Sequence, residues 1–356
     1  MKKTILHEKH LTSGARMGEF GGWDMPIQYD GILAEHEQTR TASSLFDICH
    51  MGEFEISGPT AEMDLERLLT CSIASLDVGQ VRYGYLLNEM GGVIDDLTVY
   101  RLDHDRFWLV VNAGTATTDA AWISKHLQQT TVFNDISDQI AKLDLQGPAA
   151  RSVLQDVYGY SFADLRYFRF QSLKDGWLSR TGYTGELGYE VYVPVDEAAD
   201  LWDSILAHPK CAPAGLGARD TLRLEMGYPL YGHELDVTHS PVETGDGMFI
   251  DWNKTFIGKA RCESDQSDVT QRVVGLQLAS KRAARGQDRV FYKNEPIGYI
   301  TSGSVAPSLN VAVAMARLNG SCCEVGHQVK VEIRGRFHEA QVVSLPFYQS
   351  GSARVK

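Results

Sequence analysis

The rhythm of apolar and polar positions changes several times along the chain, and each rhythm predicts an element. Residues 32–46 carry Leu33, Ala34, Ala42 and Leu45 among polar neighbours, the spacing of a weakly amphipathic helix. Residues 53–57 alternate with period two and are stopped by Gly58-Pro59, which predicts a strand closed by a turn, and residues 60–69 then read as a helix. A second strand, Gly-Pro and helix unit runs from Lys142 through Gly147-Pro148 to Val153 and Leu154, so a duplicated half-domain is expected. Between the two units, residues 83–88, 93–101 and 107–111 form a meander whose locally paired strands can build a concave face. A helix is expected over residues 115–128, with Ala120, Ala121, Ile123 and Leu127 roughly on one side. A hairpin with a glycine-rich turn spans residues 177–193, and helices follow at 197–207 and 216–227. From about Thr270 the texture becomes short strands almost without helix, at 272–278, 296–301, 311–316, 328–333 and 340–343, which predicts a C-terminal β-barrel or sandwich.

Composition narrows the function. With 34 Lys+Arg against 46 Asp+Glu the net charge is −12, which argues against a nucleic-acid binder that relies on phosphate neutralisation. The 43% hydrophobic and 22% charged residues are those of a folded protein, and 356 residues suggest two or three domains at roughly 100 to 200 residues each. The 33 glycines, clustered at likely turns, fit much turn-connected sheet. No apolar run reaches the roughly 18 to 20 residues that cross a bilayer, so no membrane association is expected. The basic N-terminus has no apolar stretch behind it, which predicts no secretory signal. The six cysteines are scattered and form no C-x-x-C pair, which points to reduced thiols in the cytoplasm and to no zinc or other metal site.

Residues 83–100 are rich in candidate chemistry. In a strand Asp95 and Asp96 point to opposite faces, so they cannot clamp one ligand together. Asp96 is expected to share its face with Ile94, Thr98 and Tyr100, a setting for a planar, nitrogen-rich ligand; the alternative is a solvated hairpin end. Residues 180–190 hold three glycines, Tyr183, Tyr189, Glu186 and Glu190, read either as a tight hairpin handing Tyr183 and Glu190 to a pocket or as a surface turn. Arg219 and Arg223, one helical turn apart, either grip the carboxylates of a substrate or partner or belong to an internal salt-bridge network. Residues 20–26, with Gly21-Gly22-Trp23, are as suited to a core plug as to a ligand wall, and the neighbouring Cys49 and His50 diverge too far for a nucleophile and its base.

At this point the sequence closely resembles the aminomethyltransferase (T-protein) family of the glycine cleavage system. The matching stretches include Gly22-Trp23-Asp24-Met25-Pro26, His50-Met51-Gly52, residues 88–100, 180–190 and 215–225, Ile300-Thr301-Ser302-Gly303 and Pro346-Phe347-Tyr348, in order over almost the whole chain. The resemblance implies an α+β fold, a three-domain cloverleaf of antiparallel sheets with helices, a C-terminal β-barrel-like domain and a central channel for tetrahydrofolate. It also implies discontinuous lobes, expected at residues 1–50 with 138–240, 51–137 with 241–269, and 270–356. By the same resemblance Asp96 matches the catalytic aspartate and Arg219 an arginine near the reacting end of the pocket. Tyr83, Tyr100, Asn112, Tyr167, Tyr183 and Glu190 match positions that line the folate site. The implied reaction takes an aminomethyl group from the lipoyl sulfur of H-protein, releases ammonia and passes the one-carbon unit to tetrahydrofolate as co-substrate.

The chain departs from the family pattern at residues 69–72, 244–247 and 304–310, and Gln349 follows Tyr348 where a basic residue is common. These positions leave the one-carbon donor open. The rivals are a folate-dependent demethylase using a small methyl donor, and a non-catalytic folate-binding relative whose Lys-x-Cys-x-x-Gly-Gln segment residues 258–263 do not reproduce. A fused flavin oxidase is excluded, since no G-x-G-x-x-G opens the chain. Residues 281–285, with Lys281, Arg282 and Arg285, are one candidate basic patch for H-protein and equally a solvated charge run.

Overall fold

Two antiparallel-rich sheets and one closed barrel account for most of the strands in the computed structural model, which describes residues 1–245 and 247–355. The six-stranded sheet has the order Phe170–Leu173, Gly176–Ser179, Gly188–Pro194, Ile140–Gln146, Ser43–Asp47, Cys211–Pro213. The five-stranded sheet has the order Val81–Leu87, Val93–Asp103, Arg106–Val111, Gly52–Ser57, Val132–Asp135. In sequence the second sheet lies inside the first, because the chain leaves the six-stranded sheet after Ser43–Asp47 and returns to it at Ile140–Gln146. The barrel closes in the order Gln271–Leu278, Val311–Asn319, Glu295–Ala306, Arg289–Tyr292, Gln328–Ile333, Arg336–Val343.

The duplicated unit is visible as two parallel solutions to one local problem. Strand Gly52–Ser57 leads through Gly58-Pro59 into helix Ala61–Leu68, and strand Ile140–Gln146 leads through Gly147-Pro148 into helix Ala150–Tyr158. Gly58 and Gly147 have φ of +120° and +134°, a region side chains rarely adopt, and a Cβ on either would lie 2.3 and 2.4 Å from the carbonyl oxygens of Thr130 and Ala42. The helix expected over 32–46 is shorter: it spans Ile32–Thr41, and Ser43–Asp47 is instead a strand buried along its whole length. A strand covered on both faces has no polar alternation, so its apolar residues were absorbed into the helical spacing.

The two sheets meet through Val81, Tyr100, Trp108, Val110, Phe170 and Tyr192, an apolar seam contributed by both. The barrel is fastened at the end of helix Leu216–Glu225. There the Glu225 carboxylate accepts from Arg40, from the backbone N–H and hydroxyl of Ser308, and lies 3.2 Å from His36 Nε2. Gly147→Ala should lower unfolding stability by about 2 kcal/mol through backbone strain and the clash with Ala42, measured by urea denaturation.

Candidate functional site

Strand Val93–Asp103 carries a bulge that decides which residues surround Asp96. Leu86 is opposite Asp95, but the next partner pair is Leu87 with Val93, which leaves Ile94 as the extra residue. Ile94 therefore packs with Leu97 and Val99, while Val93 joins Tyr85 and Leu87. The expected placement of Ile94 on the Asp96 face is thus corrected, because a bulge shifts the side-chain alternation by one residue. Thr98 and Tyr100 remain on that face as plain alternation requires.

Two donors hold the Asp96 carboxylate. Tyr83, which pairs with Thr98 across the ladder, donates its hydroxyl to Asp96 Oδ2 at 2.9 Å. The Asn112 amide nitrogen donates to Asp96 Oδ1 at 2.9 Å and to Asp95 Oδ1 at 2.9 Å, and the Asn112 backbone N–H donates to Asp95 Oδ2 at 2.9 Å. Asp95 and Asp96 do leave the strand on opposite sides, yet Asn112, at the end of strand Arg106–Val111, reaches both. Burial, then the charge of Asp95, push the Asp96 carboxyl up to about 7, against the pull of Tyr83 and Asn112. Asp96, Tyr83 and Asn112 all keep part of their surface exposed.

The second cluster surrounds Glu190, which is buried in strand Gly188–Pro194. Its Oε2 accepts from the hydroxyls of Thr181 at 2.7 Å, Tyr100 at 3.2 Å and Tyr192 at 3.3 Å, and Lys142 Nζ lies 3.6 Å from Oε1. Burial opposes ionisation, but Lys142, Thr181 and Arg219 outweigh it and hold Glu190 below the usual carboxylate range. Tyr100 belongs to the five-stranded sheet and Glu190 to the six-stranded one, so this bond crosses the seam.

Next to it, Arg219 donates to the Asp144 carboxylate and lies over the Tyr183 ring at 5.0 Å. Tyr183 stacks on Tyr228 with centroids 5.7 Å apart and donates its hydroxyl to the Pro229 carbonyl. Arg223 turns away into a network with Asp220, Glu234 and Ser302, so both arginines pair with internal carboxylates, the second of the two expected readings. Tyr167 lies near Tyr228 and beneath Arg354 at 6.0 Å, which puts it at the edge of the Tyr183 group. The expected tight hairpin is a loop over 180–187, held by the C-terminal segment: Ala353 N–H donates to the Gly185 carbonyl, Leu187 N–H to Ser352 Oγ, and Arg180 to the carbonyls of Ala353 and Val355.

Lys142, Thr181 and Tyr192 are parts of this site that sequence reasoning missed. The available signal was the alternation of Lys142, Asp144 and Gln146 with leucines in a strand whose two faces are both buried, which forces the polar set toward interior partners. Other candidates fall elsewhere. Gly21 and Gly22 make the turn of hairpin Arg16–Phe20 with Trp23–Gln28. Cys49 Sγ bonds the Lys142 carbonyl while His50 packs edge-on to Phe20. Lys281 and Arg285 bond Asn310 and the Gly303 carbonyl. Of the divergent segment 244–247, Asp246 lies outside the described residues. Among the described residues no group of three His, Cys, Asp or Glu side chains is arranged to hold a metal ion.

Residues 6–254 match the family model described as the GCVT N-terminal domain, and residues 271–349 match the glycine cleavage T-protein C-terminal barrel domain. The chain belongs to the glycine cleavage T-protein family. Within that family, an aminomethyltransferase from Symbiobacterium thermophilum is 41% identical with 99% of each chain covered, and one from Oceanobacillus iheyensis is 39% identical over 98% of this chain and 99% of its own. The crystal structure of glycine cleavage system aminomethyltransferase T from Bartonella henselae matches with a TM-score of 0.94 at 36% identity, covering 99% of both chains.

The Tyr83 hydroxyl lowers the proton affinity of Asp96, so its removal has a definite sign. Tyr83→Phe should raise the Asp96 titration midpoint by about half a unit to one unit, read from its carboxyl carbon by NMR.

Proposed function

We propose that this T-protein family aminomethyltransferase takes the one-carbon unit from aminomethyl-lipoyl H-protein and passes it to tetrahydrofolate. The products are 5,10-methylenetetrahydrofolate, ammonia and dihydrolipoyl protein, and the setting is the cytoplasm. The lobes follow the division 1–50 with 138–240, 51–137 with 241–269, and 270–356, since the chain passes from the six-stranded sheet to the five-stranded one and back. The observation that carries the site assignment is the Asp96 carboxylate, oriented by Tyr83 and Asn112 and held near the proton affinity useful at neutral pH.

The side chains present fit a reduced pteridine. Glu190 stays ionised, and its Oε1 has Lys142 only at 3.6 Å, which leaves it able to accept from the N–H groups of a pyrimidine ring. Tyr83 and Tyr183 keep exposed surface and offer flat faces, while Tyr167 and Arg219 stand at the Tyr183 end. Tetrahydrofolate, when bound, supplies the amine nitrogens that take up the one-carbon unit. Asp96 then has two tasks: to keep the reacting amine oriented through a hydrogen bond, and to take the proton it sheds while offsetting positive charge near the reacting carbon. Tyr100, Asn112 and Glu190 are fixed by their own bonds, so none of them must reorganise for this. A site walled by buried side chains also keeps water from the electrophilic carbon, whose hydrolysis would lose the one-carbon unit.

Asp96→Asn preserves shape and removes the base. It should lower turnover by roughly 10² or more while tetrahydrofolate binding persists, measured by product formation from aminomethylated H-protein and by calorimetry. Near-normal turnover in that variant would remove Asp96 from the mechanism. Because the ionised carboxylate is the working form, kcat/KM should rise with pH through about 7 and level off above it. Formation of methylenetetrahydrofolate with ammonia, rather than a methylated folate from a small methyl donor, decides the nature of the donor.

A further inference from the structure

Helix Ala116–His126 packs Ala116, Ala120 and Ile123 against the core of the five-stranded sheet. Position 119 lies on the same stripe, where helical spacing calls for an apolar residue. It is Asp119, with 0% of its surface exposed. Both its carboxyl oxygens are sealed from solvent and lack a conventional hydrogen-bond donor, since the nearby Thr115 hydroxyl donates to the Asn112 carbonyl at 3.0 Å. A buried carboxyl without donors demands an explanation.

The explanation lies in what it touches. Asp119 is in side-chain contact with Asp95, the carboxylate whose other bonds come from the backbone N–H and amide of Asn112. Two buried carboxylates in contact cannot both be charged, and a single shared proton turns their repulsion into a hydrogen bond. The charged and titratable groups facing this pair come from every side. Asp96 lies on the strand itself, and Tyr231 and Asp236 lie on the segment behind helix Leu216–Glu225, with His239 Nδ1 2.8 Å from Asp236. The strongest influence on Asp119 after burial is Asp95, through its like charge and the direct side-chain interaction, and Asp96 adds less.

Building on the assignment of Asp96 as the catalytic carboxylate, we propose that Asp119 is a positioning residue that keeps a proton and donates it to Asp95. Asp95 is thereby free to accept both N–H groups of Asn112, and Asn112 holds Asp96 in its working orientation. The mutual interaction supports this direction, because it raises Asp119, which burial and Asp95 push up to about 9, and lowers Asp95. Near neutrality the proton on Asp119 stays in place while Asp96 gains and loses its own. Asp119 needs no contact with substrate to act, and its influence passes along Asp119, Asp95, Asn112 and Asp96 in that order.

The test uses the full-length enzyme with aminomethylated H-protein and tetrahydrofolate, and compares Asp119→Leu with Asp119→Asn. Leucine fills the space but donates nothing, so Asp95 must take up a proton itself and its hold on Asn112 weakens. The expected result is a roughly tenfold lower kcat, an unchanged KM for tetrahydrofolate, and an acid limb of kcat/KM that moves below about 7 because Asp95 no longer opposes ionisation of Asp96. Asparagine can donate an N–H to Asp95 and should recover most of that loss. A leucine variant with unchanged kcat and limb overturns the proposal. So does one whose kcat falls with the limb unmoved, which is the mark of a merely structural role, and so does an asparagine variant as impaired as the leucine one. Asp96→Asn, measured alongside, separates the two assignments. If it retains turnover both fail, whereas a crippled Asp96→Asn beside a normal Asp119→Leu overturns the relay alone.

Discussion

Burying carboxylates is the constraint on which this site depends, and the protein meets it in two opposite ways. Around Glu190 the negative charge is answered by the cations Lys142 and Arg219, with hydroxyls filling the remaining acceptor sites. Around Asp96 the nearest help is neutral, the Tyr83 hydroxyl and the Asn112 amide, and the closest strong influence is another acid. The first arrangement fixes a charge and the second leaves one adjustable. A fixed charge and an adjustable one therefore arise side by side from the same residue type, separated by the company each keeps.

The position of these groups follows from the folding of the chain around them. Tyr100 leaves the five-stranded sheet and bonds Glu190 of the six-stranded one, so the polar site and the apolar seam of Val81, Trp108, Phe170 and Tyr192 are parts of one junction. Neither sheet alone assembles the set. The nesting of one sheet within the sequence of the other makes that junction a product of distant segments, with Tyr100 from within the inserted stretch and Lys142 from just beyond it both meeting Tyr192.

Much of this was legible beforehand and some was not, for reasons that can be named. Alternation and turn residues revealed the meander holding Asp96, the two Gly-Pro units and the strand-rich C-terminal part, because half-buried strands and positive-φ glycines leave marks in a sequence. Strand Ser43–Asp47, buried throughout, left no such mark and was taken into a helix. The bulge at Ile94 was invisible because nothing in its side chain records the extra residue. Asp96 and Glu190 are candidates on their residue pattern, Tyr83 and Asn112 on the family resemblance, and the structure shows what each touches. Lys142, Thr181, Tyr192 and Asp119 were passed over because their surroundings come from other segments, which periodicity along a single element does not report.

The loop over 180–187 has one more implication, for the order in which the protein matures. Its glycines give it little rigidity of its own, and besides its bonds to Arg40 and Gln146 it is tied to Ser352, Ala353 and Val355, just after the barrel in sequence. During synthesis this loop emerges long before its anchor does. Its ties at Arg180, Gly185 and Leu187 form only once the barrel has been made and the segment behind it has come back across the molecule. The last fastening of this loop is therefore a late event in the life of each chain, reached only when its two halves have already found one another.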